Sequence, residues 1–524
     1  MSKRKQPPTK KSRTGTLPAF AAPTEDDSLN LEPSQIPSAS ALSIRVLPLI
    51  GSVPSLSSLS ARRFVASLPI LASDERLWVY TRRWLKLLPD ALVPKLFAML
   101  RSTHPTLLSH GFIVTCFLRG PSLTLSDDLP GVQRATLASI TKNGALRELR
   151  LTGFAKFADT VFASLISSLT QLRVVVLRGC SKVGTKTAEA LADSCPSLSV
   201  VNLNYTAVPP LSLLKLLLSC SSLEVLKVAG ISNWTDATFA KLLSGLSQHH
   251  NVVLSNLHTL KLRQLSLSES SIYPFISRCP HLRRLDLSFT HIRRPPSPDT
   301  TSLLSVEKLS LTSTMISSVD VISMISALSD LRTLSLGALG GGQGSSVSIS
   351  NTSAMTMTDE ALRTLTNELE KHGHLEKISL VGNSKLGFTS RGGGALADFV
   401  RRVGRKLRHL NLSGLPFLRS QDLSGLMSEI DDGGAPALVE LILNHTGVDD
   451  EAAPYLSCCL SLAMLELAGT KITSDGLIPV IDACPKLEKL DLTSCRGIIV
   501  ADRRRFFEVF HQPASLEAFL MQVF

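Results

Sequence analysis

The sequence predicts an α/β solenoid, and three observations predict it. The stretch Leu282-Arg283-Arg284-Leu285-Asp286-Leu287-Ser288-Phe289-Thr290 reads L-x-x-L-x-L-x-x-T, and near-copies recur almost to the last residue. Successive copies mostly start 24 to 26 residues apart, with amphipathic segments between them such as Ala188 to Ser194, Asp359 to Lys371 and Asp475 to Cys484. The composition is 44% hydrophobic but only 5% aromatic, so the apolar content is mostly aliphatic, as a core of stacked leucines requires.

The copies begin at Leu146, Leu172, Leu198, Leu223, Leu257, Leu282, Val306, Leu331, Leu375, Leu407, Leu438, Leu462 and Leu487, thirteen in all, with a worn fourteenth at Leu516 to Met521. A repeat of this form with a period in the twenties is the signature of a leucine-rich repeat solenoid. The expected shape is a horseshoe, with parallel strands on the concave face and helices on the convex face. A period near 25 leaves room for a strand, a turn and two to three helical turns at ~1.5 Å per residue. Strand side chains alternate, so positions four and six of each copy point inward while three, five and seven face the groove.

Residues 1–40 are rich in Pro, Ser, Thr and Lys, show no apolar periodicity and are expected to be a disordered basic tail. Lys3, Arg4 and Lys5, followed after a spacer by Lys10, Lys11 and Arg13, look like a bipartite nuclear-import signal. These six charges account for half of the formal net charge of +12. No apolar h-region follows them, which argues against a secretory signal. Residues 41–140 lack the leucine motif and have helical apolar spacing, which predicts an N-terminal helical cap or docking region. A helix entry at Pro89-Asp90 would place Leu92, Leu96, Phe97 and Leu100 on one face. Gly111 to Leu118 is a further apolar segment, and Ser122 to Ser126 reads as a strand capping the array. Residues 141–524 are the solenoid. Gly340 to Thr358 is a Gly/Ser-rich insertion, and Ser297-Pro298 in a Pro-rich turn is a candidate phosphorylation site.

Nothing in the chain spells a catalytic or metal centre, and no cofactor is expected. Nine cysteines include no C-x-x-C pair. Cys195, Cys220, Cys279, Cys459 and Cys484 each sit three residues before a repeat, which fits small buried thiols, one niche per coil, in a reducing compartment. Gly179 to Thr187 (GCSKVGTKT) nearly spells a phosphate-binding loop, but a residue separates Gly184 from Lys186, so the lysine is misplaced for the phosphates. His249-His250 and His372-Gly373-His374 lack acidic or thiolate partners at ligand spacing. No stretch is apolar enough to be read as a membrane span. The expected location is the nucleus, the cytoplasm or both.

The motif, with Cys-Pro before the first leucine and segments such as Lys471-Ile472-Thr473-Ser474-Asp475-Gly476-Leu477, resembles the ribonuclease-inhibitor-like, cysteine-containing leucine-rich repeat proteins. Many of those are substrate receptors of cullin-type ubiquitin ligases, in which an F-box precedes the solenoid. Leu88, Pro89, Leu92, Leu96, Phe97 and Leu100 look like the opening LPxxLxxxLFxxL of an F-box, although the Trp expected some twenty-five residues later is missing. The resemblance implies that they dock a ligase adaptor; an elongin-binding box or a plain cap are the other readings of the same residues.

On the concave face, Arg150, Arg178, Lys227, Lys261, Arg263, Arg284 and Lys308 make the first half of the groove basic, while Glu440, Glu466 and Asp491 make the far end acidic. The basic half is expected to receive an acidic segment of a protein partner. Aromatics interleaved for base stacking are lacking, Tyr205 and Phe289 being the main candidates, which argues against nucleic acid beyond weak tail contacts. The function expected is therefore a non-enzymatic recognition scaffold, in particular a substrate receptor of a cullin-type ubiquitin ligase. The alternatives are a Ran-type GTPase-activating protein and a DNA-repair or chromatin-associated repeat protein.

Overall fold

The computed structural model describes residues 44–46, 55–249, 252–296, 305–338, 357–389, 394–427, 434–499 and 502–503. The import cluster, Ser297-Pro298, most of the Gly/Ser-rich insertion and the worn repeat at Leu516 to Met521 lie outside these residues. One 15-stranded sheet runs through the rest. Each of the thirteen sequence repeats supplies one short strand, from β3 (Glu148–Thr152) to β15 (Lys489–Asp491), and every strand pairs in parallel with the next. The expected leucine-rich repeat solenoid is thus the observed fold.

The strands alternate as their sequence dictates. In β8 (Arg284–Asp286) and the residue after it, Leu285 and Leu287 are buried at 1% and 0% exposure, and their counterparts stack in one continuous core from end to end. Helices of 5 to 13 residues or short 3-10 turns lead most coils back to the next strand. The amphipathic segments named above are helices at Thr185–Ser194, Asp359–Leu369 and Ser474–Ala483.

Position eight of the repeat, three residues past the strand in all coils but that of β3, has a left-handed backbone in all thirteen coils. It is glycine in six coils and Tyr205, Gln264, Phe289, Ser313, Ala338, His445 and Ser494 in the others. The reason is a hydrogen-bond ladder: the N–H of this residue donates to the carbonyl of position seven one coil further on. The bonds run from Gly153 to Arg178 (2.9 Å), Tyr205 to Ala229 (2.7 Å), Phe289 to Thr312 (2.8 Å) and on to Gly469 with Thr493 (2.8 Å). A left-handed non-glycine residue costs ~1–2 kcal/mol, and the ladder holds six of the seven there, Ser494 standing in the last described coil.

Both ends of the sheet differ from expectation. The segment Ser122–Ser126 is β2, a full parallel partner of β3 in register over five residues, so the array starts one coil before Leu146. Within the region read as helical, Ile44–Val46 forms β1, which pairs antiparallel with β15 and covers an edge that would otherwise expose its backbone. The cap consists of α1 (Leu56–Ser73), α2 (Glu75–Lys86), α3 (Val93–Thr103) and α4 (His110–Cys116), with α5 (Arg134–Ile140) leading into β3. The helix predicted to enter at Pro89-Asp90 starts at Val93, because Pro94, which has no N–H to donate, fits the first helical turn. Leu92 becomes the cap residue and is 38% exposed, outside the buried face it was assigned to.

Two devices join coil to coil behind the sheet. Buried thiols reach carbonyls of the preceding coil: Cys195 to Leu169 (3.4 Å), Cys220 to Cys195 (3.5 Å), Cys484 to Cys459 (3.5 Å). Aspartates at helix starts accept from the N-terminal residues of the next coil. Asp159 takes the N–H groups of Gly184 (2.8 Å), Lys186 (2.9 Å) and Thr187 (3.2 Å), so the loop that nearly spelled a phosphate site cradles a carboxylate of its own chain. Asp359, 3% exposed, accepts from the N–H groups of Gly387 (2.7 Å) and Thr389 (3.0 Å) and from the Thr389 hydroxyl.

Asp359→Ala strands these donors in the core at ~1–3 kcal/mol each. It should lower the urea midpoint by an amount corresponding to about 2–4 kcal/mol, whereas exposed Glu360→Ala should leave the midpoint almost unchanged. Burial pushes the thiols of Cys180, Cys220 and Cys484 up to about 11 and those of Cys195, Cys279 and Cys459 up to about 12. Iodoacetamide at about pH 8 should accordingly label Cys458, the one half-exposed cysteine, and reach these six only on unfolding, as read by peptide mass.

Candidate functional site

Two surfaces stand out: the strand face with its adjoining rim, and the outer face of the cap. On the strand face the sequence-predicted cations come together across neighbouring strands. Lys227 is in register with Lys261, Lys261 with Asp286, and Arg284 with Lys308. Adjacent strands lie ~4.8 Å apart, so like charges sit side by side twice within four strands. Exposure varies among them. Arg284 is exposed, Lys227, Lys308, Arg178 and Arg150 are half-buried, and Lys261 is 9% exposed. Arg150 reaches Glu148 at 3.6 Å, in the first coil and away from the others.

Arg263 behaves differently from a groove cation. Its guanidinium lies over the Phe289 ring, 4.9 Å from the centroid, at the rim where the left-handed residues emerge. Tyr205, also on the rim, donates to Gln264 Oε1 at 3.4 Å and is 39% exposed. Its ring lies over Gly230, where any β-carbon would overlap it. The sequence marks Tyr205 and Phe289 only as stacking candidates; the turn that lifts them onto the rim has no signature of its own, because position eight accepts six residue types besides glycine, each at a cost in strain.

At the far end the carboxylates are largely engaged. Glu440 Oε2 meets His409 Nδ1 at 2.6 Å, and Glu466 accepts from Lys489 (2.6 Å) and Asn444 (2.9 Å). On the rim beside them opens a cleft of about 490 Å³ lined by His445, Gly469, Lys471, Ser494, Arg496 and Gly497.

In the cap, Leu96, Phe97 and Leu100 are buried at 5%, 4% and 0% exposure, and Leu88 packs against the same core. Phe97 stacks on Phe117 (5.1 Å), Phe117 on Phe112 (5.2 Å) and Phe112 on Trp78 (4.9 Å). Of the six F-box-like positions only Pro89 and Leu92 are exposed. The apolar surface lies elsewhere. Leu77, Tyr80, Trp84 and Leu87, at 46%, 62%, 70% and 67% exposure, follow i, i+3, i+7, i+10 and share one side of α2. Arg76 and Arg83 run along one edge of this stripe. Among the described residues no helix is long and apolar enough to cross a membrane, and no three His, Cys, Asp or Glu gather to hold a metal ion.

A family profile described as Leucine Rich repeat matches residues 278–293, the copy around β8. The chain is 38% identical over 71 residues to a protein of Arabidopsis thaliana named as an F-box/LRR-repeat protein, a match that spans 13% of this chain and 16% of that one. Among solved structures, the complex of Rad7 and Elc1 from yeast is 17% identical, covering 81% of this chain and 96% of that chain at a TM-score of 0.47. An internalin, InlF of Listeria monocytogenes, is 18% identical over 68% of this chain and 88% of its own, at 0.36. These likenesses are of fold. By its own repeats and sheet the chain is a leucine-rich repeat solenoid, the architecture of protein-binding scaffolds.

Gly230→Ala should destabilise the fold by about 1–3 kcal/mol, through its left-handed backbone and the displaced Tyr205 ring. The double variant Tyr205→Ala, Gly230→Ala should lose less than the sum of the two single changes in a denaturation cycle.

Proposed function

We propose that this protein is a substrate receptor for a cullin-type ubiquitin ligase, holding the ligase adaptor on its cap and a protein substrate on its repeats. The observation that carries the first half is the exposed stripe of α2. Four large apolar side chains on one helix side, with Trp84 70% exposed, form a surface of the kind that marks a protein-interaction site. The F-box-like residues then have a division of labour. Leu88, Leu96, Phe97 and Leu100 build the core that holds α2 in place, and Pro89 and Leu92 extend the exposed patch. The partial match to a protein named for an F-box and leucine-rich repeats supports the same reading.

Substrate capture is assigned to the basic strands. Like charges facing one another on neighbouring strands are unfavourable, so Lys227 beside Lys261 and Arg284 beside Lys308 favour an acidic segment laid across them. Such a partner is steered in by long-range attraction. The basic tail, Lys3 to Arg13, serves nuclear import in this scheme.

Affinity purification of the full chain tests both halves. Tyr80→Asp with Trp84→Asp changes exposed residues only; it should remove the cullin adaptor from the eluate while unfolding is unchanged. Lys227→Glu with Arg284→Glu should keep the adaptor and lose the principal substrate, with binding that weakens as salt rises. An eluate without adaptor subunits even for the unaltered chain overturns the ligase reading.

A further inference from the structure

The rim cleft at the C-terminal end is unlike the rest of the surface. Lys471 and Arg496 are exposed and form no ion pair among the described residues, and no carboxylate lines the cleft with them. His445 and Ser494 enter it from left-handed position-eight turns, and the His445 ring lies directly over Gly469. Two cations and a hydroxyl therefore converge on a space of about 490 Å³ that the His445 ring walls on one side. A phosphate ester, with close to two negative charges and three acceptor oxygens, satisfies such a donor set.

A second feature extends the site. Gly447 N–H bonds to Leu418 O (3.0 Å) and Lys471 N–H to Val448 O (2.8 Å), which places Phe417, Gly447 and Lys471 in one row on successive coils. Phe417 is 38% exposed and Phe388, 69% exposed, meets it edge-on at 5.1 Å. Gly447, between Phe417 and Lys471, lies so close to the Leu418 carbonyl that a β-carbon would not fit. Two coils at ~4.8 Å separate the aromatic pair from the cationic cleft by about 10 Å, the length of about three extended residues at ~3.3 Å each.

We infer that this rim binds a phosphorylated protein segment, with a phosphoserine or phosphothreonine between Lys471 and Arg496 and an apolar side chain three residues away against Phe417 and Phe388. The neighbouring strand face decides between this and a polyanion. The Glu440–His409 and Glu466–Lys489 pairs and Asp491 line it, so it offers no continuing cationic track for the successive phosphates of a nucleic-acid strand, whereas a peptide carrying one phosphate needs none. The site uses neither α2 nor the basic strands, so its failure and that of the ligase reading are separable.

The test is an oriented peptide library with a fixed central phosphoserine, run against the full chain beside its unphosphorylated counterpart and a single-stranded oligonucleotide. The phosphorylated pool should be retained about tenfold or more over the plain pool, enriched in apolar residues three places from the phosphate and in Lys or Arg nearby. Lys471→Glu with Arg496→Glu should abolish that preference, and Phe417→Ser should erase the apolar selection while leaving the phosphate preference. All three positions are exposed, and an unchanged thermal melt excludes misfolding. Equal retention of the two pools, a preference that survives the charge reversal, or tighter binding of the oligonucleotide would overturn the inference.

Discussion

The ladder of backbone bonds at position eight is the constraint on which the rest of this solenoid depends. Each strand is mostly three residues long, too short to fix its register by pairing alone. The bond from position eight to the next coil's position seven locks that register just where the strand ends, and the price is a left-handed turn in every coil. Because the lock involves only a few residues, the remainder of each coil can vary in length. Starts are 34 residues apart between Leu223 and Leu257 and 44 apart between Leu331 and Leu375, yet Val225 pairs with Thr259 and Thr333 with Lys377 in unbroken register.

The same constraint explains where polar chemistry is consumed. Inside the coils, donors left over where one helix ends and the next begins are met by aspartates from the neighbouring coil. Asp236 shows the balance: burial works to raise its pKa, and the Ser271 hydroxyl (2.6 Å) with the Ser268 N–H (2.9 Å) more than offset this, holding the carboxyl below its usual range. Where fewer donors face a buried carboxyl the outcome reverses. Asp422 has its pKa raised, burial outweighing the N–H of Arg419 (2.9 Å). These carboxylates are structural, and their charge is spent on packing the helical layer.

The solenoid was legible in the sequence because a strand buried on alternate residues must repeat its leucines, and Leu285 and Leu287 recur in kind thirteen times. The cap was less legible for a definite reason. α2 carries apolar residues on both sides, Trp78 and Leu85 packed inward and Leu77, Tyr80 and Trp84 outward, the last continued by the cap residue Leu87. Periodicity marks an apolar face but cannot say which of two faces the fold covers. Hence the motif at Leu88 to Leu100 drew notice, whereas the exposed stripe one helix earlier did not. β1 was beyond reach for another reason: three residues whose partner lies more than four hundred positions away leave no local trace.

Recognition in such a molecule is better placed on the rim than on the sheet. Side chains on the sheet crowd one another at strand spacing, and several are already committed, His409 to Glu440 and Glu466 to Lys489. Position-eight side chains leave the ladder from left-handed turns, so Tyr205, Phe289 and His445 stand on the rim, Tyr205 and His445 exposed and Phe289 half-buried beneath Arg263. Each could be replaced by glycine with relief of backbone strain, as six coils demonstrate. The backbone of the turn therefore gives no reason for aromatic residues there; what they gain is contact with neighbouring rim side chains, Tyr205 with Gln264 and Phe289 with Arg263. The strain they carry is concentrated where the surface is most accessible, which is the distribution expected if contact with another macromolecule, rather than packing, sets the residue at position eight.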